Sequence, residues 1–162
     1  MGMVKLAALV GLAVTLLAGG VAQAQGPPSY GPPITLEQAK TVMAAAEAEA
    51  KKNNWNVVIV ILDSGGNAVM LQRLDNAQFG SIEVAREKAY SAVAFRRPTK
   101  IFQDVVAKGG GGLRLLNLAG GSPLTGGVPI LVDGKVIGSI GVSGVTGDQD
   151  AQIAQAGADA VK

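Results

Sequence analysis

Apolar residues recur along this chain with two different spacings, and the spacing divides most of it into elements. Leu36, Ala39, Val42, Met43, Ala46 and Ala50 fall on one face of a helix. Thr35 is its predicted N-cap, Gln38 completes a capping box, and Asn53-Asn54 stops it. The alanines make that face narrow, which suits close packing on a sheet. Val57 to Leu62 is an unbroken β-branched run, the mark of a buried strand. Asp63 to Asn67 is a tight turn, and Ala68 to Arg73 is the return strand of a hairpin. Ser81 is the predicted cap of a second helix, with Glu83 in its first turn. Ile82, Ala85, Ala89, Ala92 and Val93 share one face of it. Pro98 ends that helix, because the residue before proline avoids the α region. Thr99 to Lys108 reads as a short third helix with Gly109 in the C′ position. Val128 to Val132 and Lys135 to Val142 flank an Asp133-Gly134 turn as a second hairpin. Gly138 and Gly141 inside its return strand mark a bulge or a close backbone approach. Thr146 or Asp148 caps a final helix carrying Ile153, Ala156, Ala160 and Val161.

The order is helix, hairpin, two helices, hairpin, helix. Strands in adjacent pairs predict an α+β fold: an antiparallel β-sheet of two hairpins packed with about four helices. Two segments precede this domain, which spans 34–162. Leu6 to Val21 is apolar apart from Gly11, Thr15, Gly19 and Gly20, and it follows a short region carrying Lys5. Ala22-Gln23-Ala24 then fits a signal-peptidase site, so residues 1–24 are predicted to be a cleaved signal peptide. The protein is therefore expected in the periplasm or outside the cell. Residues 25–33 read QGPPSYGPP, a Pro/Gly-rich linker of extended, polyproline-like character.

Composition narrows the chemistry. The 162 residues contain no histidine and no cysteine. Disulfides, thiolate nucleophiles, an imidazole base, a serine–histidine triad and imidazole-ligated metal are all excluded. Aromatics are only 4% of residues and the net charge is +2, so nucleic acid is not an expected partner. Gly109 to Gly127 holds eight glycines in nineteen residues and reads as a flexible loop able to cradle an anion. Asp148 and Asp150 suit either calcium or helix capping. Arg96, Arg97 and Lys100 form the most basic cluster. It suits pairing with carboxylates, such as the propionates of a porphyrin, or complementing a helix dipole. A haem iron would have to take a ligand from Met, Tyr, Lys or a weaker oxygen donor. Met43 and Met70 read as core residues, and Tyr90 as a packed position of its helix.

Five blocks, ITLEQAK (34–40), VVIVILDSGGNAVMLQRLDNA (57–77), AREKAYSAVAFRRPTKIF (85–102), GGVPILVDGKVIGSIGVSG (126–144) and DQDAQIAQAGADAV (148–161), together resemble the GlcG/HbpS haem-binding family. That fold also occurs as the C-terminal domain of PduO-type corrinoid adenosyltransferases. The resemblance implies a profilin- or PAS-like sandwich, homo-oligomers up to octamers, and haem as cofactor. It also implies that Thr99, matching a threonine tied to haem iron, is the metal-binding position, beside Arg96, Arg97 and Lys100. The expected function is an exported haem (tetrapyrrole) binding or haem/redox-sensing accessory protein rather than an enzyme, with slow oxidative haem breakdown the one activity left open. A membrane sensor kinase or a periplasmic oxidoreductase is the expected partner. The alternative is an oligomeric accessory or structural subunit of an oxidoreductase pathway, with no cofactor of its own.

Overall fold

Val57 to Leu62 is apolar at every position because the strand it forms is enclosed from both sides. The computed structural model describes residues 26–162, and the signal peptide expected at 1–24 lies outside the described residues. The sheet has four antiparallel strands, β1 (Val58–Asp63), β2 (Ala68–Arg73), β3 (Gly127–Val132) and β4 (Lys135–Ser143), in the order β2-β1-β4-β3. Four α-helices surround it: α1 (Leu36–Lys52), α2 (Ser81–Phe95), α3 (Lys100–Ala107) and α4 (Gly147–Ala158). The α+β fold of two hairpins and four helices is the one the patterning predicts.

Alternation along β1 sorts its side chains between two cores. Val57, Ile59 and Ile61 join the core under α1 and α4. Val58, Val60 and Leu62 join the core under α2. Edge strand β2 is only partly covered, which explains its more polar sequence. Thr35 and Thr146 both form complete capping boxes, with Gln38 and Gln149, so of the two proposed caps for α4 it is Thr146 that serves. Asp133 and Gly134 both have positive φ, as a two-residue type I′ hairpin turn requires.

Three local expectations change. Ser81 does not cap α2: Gly80 is the N-cap residue, and the Ser81 hydroxyl is buried against the Ser143 and Gln78 side chains. The glycine-rich loop is partly ordered, with Gly110–Asn117 wound into a 3-10 helix. The Pro/Gly-rich linker is extended but tethered. β1 stops at Asp63 opposite Gly138, leaving the start of β4 with an open edge. Residues 29–34 occupy that edge: Val136 N–H donates to the Ser29 carbonyl at 2.9 Å, and Gly31 N–H to the Val136 carbonyl at 2.8 Å.

On the α2 side, β3 and β4 present Gly127, Ser139, Gly141 and Ser143. These small residues let the backbone of α2 come down onto the sheet. The Ser139 hydroxyl donates to the Ala89 carbonyl at 2.7 Å. A Cβ at Gly141 would strike the Ala85 carbonyl and the Ala89 amide nitrogen, and one at Gly127 would strike the Lys88 carbonyl. Gly141→Val is therefore expected to lower stability by about 1–3 kcal/mol or more through overpacking. Chemical denaturation checks this, and a midpoint equal to that of wild type would contradict the close docking of α2.

Candidate functional site

The four residues predicted as a site lie on the turn between α2 and α3, but they are engaged separately. Arg96 closes α2 in the left-handed region, at φ 53° and ψ 42°. A non-glycine residue held there is a costly choice, of the kind that clusters at binding sites. Its Nη1 donates to the Pro28 carbonyl at 3.1 Å, and its guanidinium lies 5.1 Å from the centroid of the Tyr30 ring. Arg97 is half-buried, and its Nε donates to the Phe95 carbonyl at 3.0 Å. Lys100 is exposed and pairs with Asp104 at 2.9 Å. Thr99 is fully buried: its Oγ1 accepts from the Gly127 N–H at 2.9 Å, and its own N–H donates to the Gly127 carbonyl. In this conformation its hydroxyl ties α3 to β3 and faces no open surface.

Beneath that turn lies a buried ion pair. Lys88 and Asp150 are almost completely enclosed, with Nζ 2.7 Å from Oδ2. Lys88 also donates to the Val142 carbonyl at 2.9 Å, and Asp150 accepts from the Val145 N–H at 3.2 Å. Burial pushes the Asp150 carboxyl above its ordinary range, against the opposing pull of the Lys88 ammonium and the Val145 and Gly144 amides. The pair joins α2 on one face of the sheet to α4 on the other. It also answers the calcium reading of Asp148 and Asp150, since Asp150 already has its cation. Among the described residues, no three acidic side chains gather as a metal site. Next to the pair, Gln103 accepts from the Thr125 N–H at 3.0 Å, while the buried Thr125 hydroxyl has no partner among the described residues.

The open surface lies on the outer side of α2. Tyr90 packs by its ring edges between two loops but is not buried; it is 44% exposed, and its hydroxyl makes no hydrogen bond among the described residues. It stands between two clefts. One, of about 390 Å³, is lined by Arg86, Glu87, Tyr90 and Gly120 to Ser122. The other, of about 270 Å³, is lined by Tyr30, Ser64 to Gly66, Tyr90, Val93 and Ala94. The Tyr30 hydroxyl donates to the Val93 and Ala94 carbonyls at 2.9 and 3.1 Å, which seats the ring one turn beyond Tyr90, beneath Arg96. The arrangement is a strip of two aromatic rings, with a guanidinium over one and a free phenol on the other. It can take a flat apolar molecule bearing carboxylates.

Sequence reading missed Lys88, Tyr90, Tyr30 and Thr125. The signal for the first two was available: at 100° per residue they flank the Ala85-Ala89-Ala92 stripe on opposite sides, so neither belongs to its centre. Tyr30 and Thr125 lie in segments without periodicity and carried no such signal.

An antiparallel α+β sandwich with a basic, aromatic strip along one helix is the class these observations define. The chain belongs to the family described as haem degrading protein HbpS-like, whose model matches residues 34–159. Protein GlcG of Escherichia coli K12 is 41% identical over 110 residues, covering 68% of this chain and 81% of its own. The crystal structure of an HbpS double mutant from Streptomyces reticuli superposes with a TM-score of 0.74 at 29% identity, covering 96% of this chain and 99% of that one. A PduOC:heme complex superposes at 0.72 with 30% identity, covering 80% and 96%.

The buried pair makes the next expectation. Lys88→Met should cost about 3–5 kcal/mol, because it leaves the Asp150 carboxylate buried and uncompensated. Adding Asp150→Asn should restore at least half of that loss, since no net charge is then buried. Urea unfolding of the two variants decides it; a single variant as stable as wild type would show that the pair contributes nothing.

Proposed function

We propose that this protein is an exported haem (tetrapyrrole) binding protein, with haem docked along the outer side of α2. The observation that carries this reading is Arg96, held in a left-handed conformation over the Tyr30 ring at the edge of the Tyr30–Tyr90 cleft. A porphyrin is flat, apolar and bears two carboxylates, which matches an aromatic strip ending in a guanidinium. The PduOC:heme complex, a structure with the same fold, supports the ligand class. Arg97 and Lys100 stand within four residues of Arg96 and add positive charge for the second propionate. Thr99 serves in this reading by fixing the turn that carries them. The residues present fit the group: they offer cations for the propionates, aromatic faces for the ring and oxygen donors for the iron.

Self-assembly belongs to the same proposal. α3 buries only Phe102, and the following 3-10 helix buries no side chain. Ile101, Leu113, Leu116 and Leu124 are exposed on this arm. An apolar arm so little covered by its own domain is suited to burial against another copy of the chain. Export, from residues 1–24, would put such an assembly where it could report haem or redox status to a membrane sensor kinase or serve a periplasmic oxidoreductase. The arm supports assembly equally in the second reading, a cofactor-free accessory subunit. Binding of haem separates the two.

Hemin titration of the purified mature chain should therefore give a saturable Soret band. Arg96→Ala should weaken binding by about 1.5–3 kcal/mol, the usual worth of a hydrogen bond to a charged group. A wild-type chain without a Soret band would favour the cofactor-free reading, and steady loss of the band under reductant and oxygen would reveal breakdown. The exported form should have an intact mass beginning at Gln25 and scatter light as an oligomer, whereas Leu116→Glu should scatter as a smaller species. A wild-type monomer at micromolar concentration would remove the assembly from the proposal.

A further inference from the structure

We infer that the phenol oxygen of Tyr90 is the axial ligand that this chain gives to ferric haem iron. The inference rests on the haem-binding reading above and goes beyond it by naming the donor atom. The chain has neither histidine nor cysteine, so the ordinary ligands are absent. No lysine lines either cleft, and the remaining candidates are occupied or enclosed. The Thr99 hydroxyl is bonded to Gly127 in the interior. Met43 is buried, and Met70 packs against the same core under α1 and α4. The Tyr30 hydroxyl is spent on two carbonyls of α2. Of these side chains Tyr90 alone combines exposure, a hydroxyl without a partner among the described residues and a position bordering both clefts.

The surroundings of Tyr90 are built to hold it in one orientation. Gly66 and Gly120 flank opposite edges of its ring, both with backbone in the left-handed region, at φ +83° and +73°. A Cβ at Gly66 would lie 3.1 Å from Cε2, and one at Gly120 would lie 2.8 Å from Cε1. Glycine is therefore needed at both positions twice over, for the backbone and for the ring. The two loops grip the ring by its edges and leave the oxygen uncovered. Arg86, one helical turn before Tyr90, borders the larger cleft together with Glu87, and its Nε is paired with Glu83 at 3.2 Å.

The chemistry is ligand exchange without a change of oxidation state. As the Tyr90 oxygen binds ferric iron, its O–H bond breaks, the proton passes to water, and the water on the hemin iron leaves. An anionic oxygen donor is hard and prefers ferric to ferrous iron. Reduction should therefore loosen the grip, so this ligand would make haem retention depend on redox state.

The test uses the mature chain, hemin, absorption and resonance Raman spectroscopy. Wild type should show tyrosinate ring modes and a phenolate-to-iron charge-transfer band, both weakened by dithionite. Tyr90→Phe removes one oxygen from an exposed side chain, so its circular dichroism and melting should match wild type. It should lose the band and the ring modes, with hemin affinity lowered tenfold or more. Tyr30→Phe should keep both, and Gly120→Val, which displaces the ring, should shift or weaken them with the hydroxyl still present. A wild-type chain that takes up no hemin would overturn the haem reading and this inference together. Hemin binding with a Tyr90→Phe spectrum identical to wild type would leave the haem reading standing and overturn the ligand.

Discussion

The approach of α2 to the sheet governs the rest of this molecule. Gly127, Ser139, Gly141 and Ser143 remove the side-chain layer that would ordinarily separate a helix from its strands, so backbone meets backbone. With α2 that low, Lys88 reaches past the sheet edge to Asp150, Arg96 must turn sharply to leave the helix, and Thr99 lands on Gly127. The side of α2 that faces away from the sheet becomes the floor of two clefts. A helix raised by even one methyl group would disturb each of these contacts, because packed interiors do not deform continuously.

Inside, the same contact is closed by charge. Lys88 and Asp150 lose their water on folding, and that loss is offset by their mutual contact and by further partners, the Val142 carbonyl for the ammonium and the Val145 N–H for the carboxylate. A pair of this kind contributes less to net stability than to uniqueness, since other registers of α2 would bury a lysine alone. The unpartnered Thr125 hydroxyl and the exposed apolar arm of α3 show where this economy stops.

The candidate site is shaped by what the chain lacks. Without imidazole or thiolate, the donors left are thioether, amine and oxygen groups, and oxygen donors are weak unless anionic. Guanidinium and phenol side chains are then the groups best suited to hold an anionic, flat ligand, and both stand along the outer side of α2. The family to which the chain belongs supplies the ligand class, while the particular donors are a matter for this sequence.

Much of the fold was legible in the residues. The unbroken run of β1 announced a buried strand, a capping box announced α1, and Asp133-Gly134 announced its turn, because each rests on interactions a few residues apart. The role of Gly141 was half legible: glycine in a strand signalled a close approach without naming what approached. Arg96, Arg97, Thr99 and Lys100 could be named as a cluster, but their neighbours in sequence said nothing of burial. Only the tertiary structure decided that Thr99 turns inward to Gly127 and that Tyr30 folds back from a proline-rich segment onto α2. The physical reason is range. Helix caps, turns and alternation are set by local geometry, whereas exposure and pairing depend on elements as far apart as Tyr30 and Val93 or Lys88 and Asp150, which meet only after the sheet has closed.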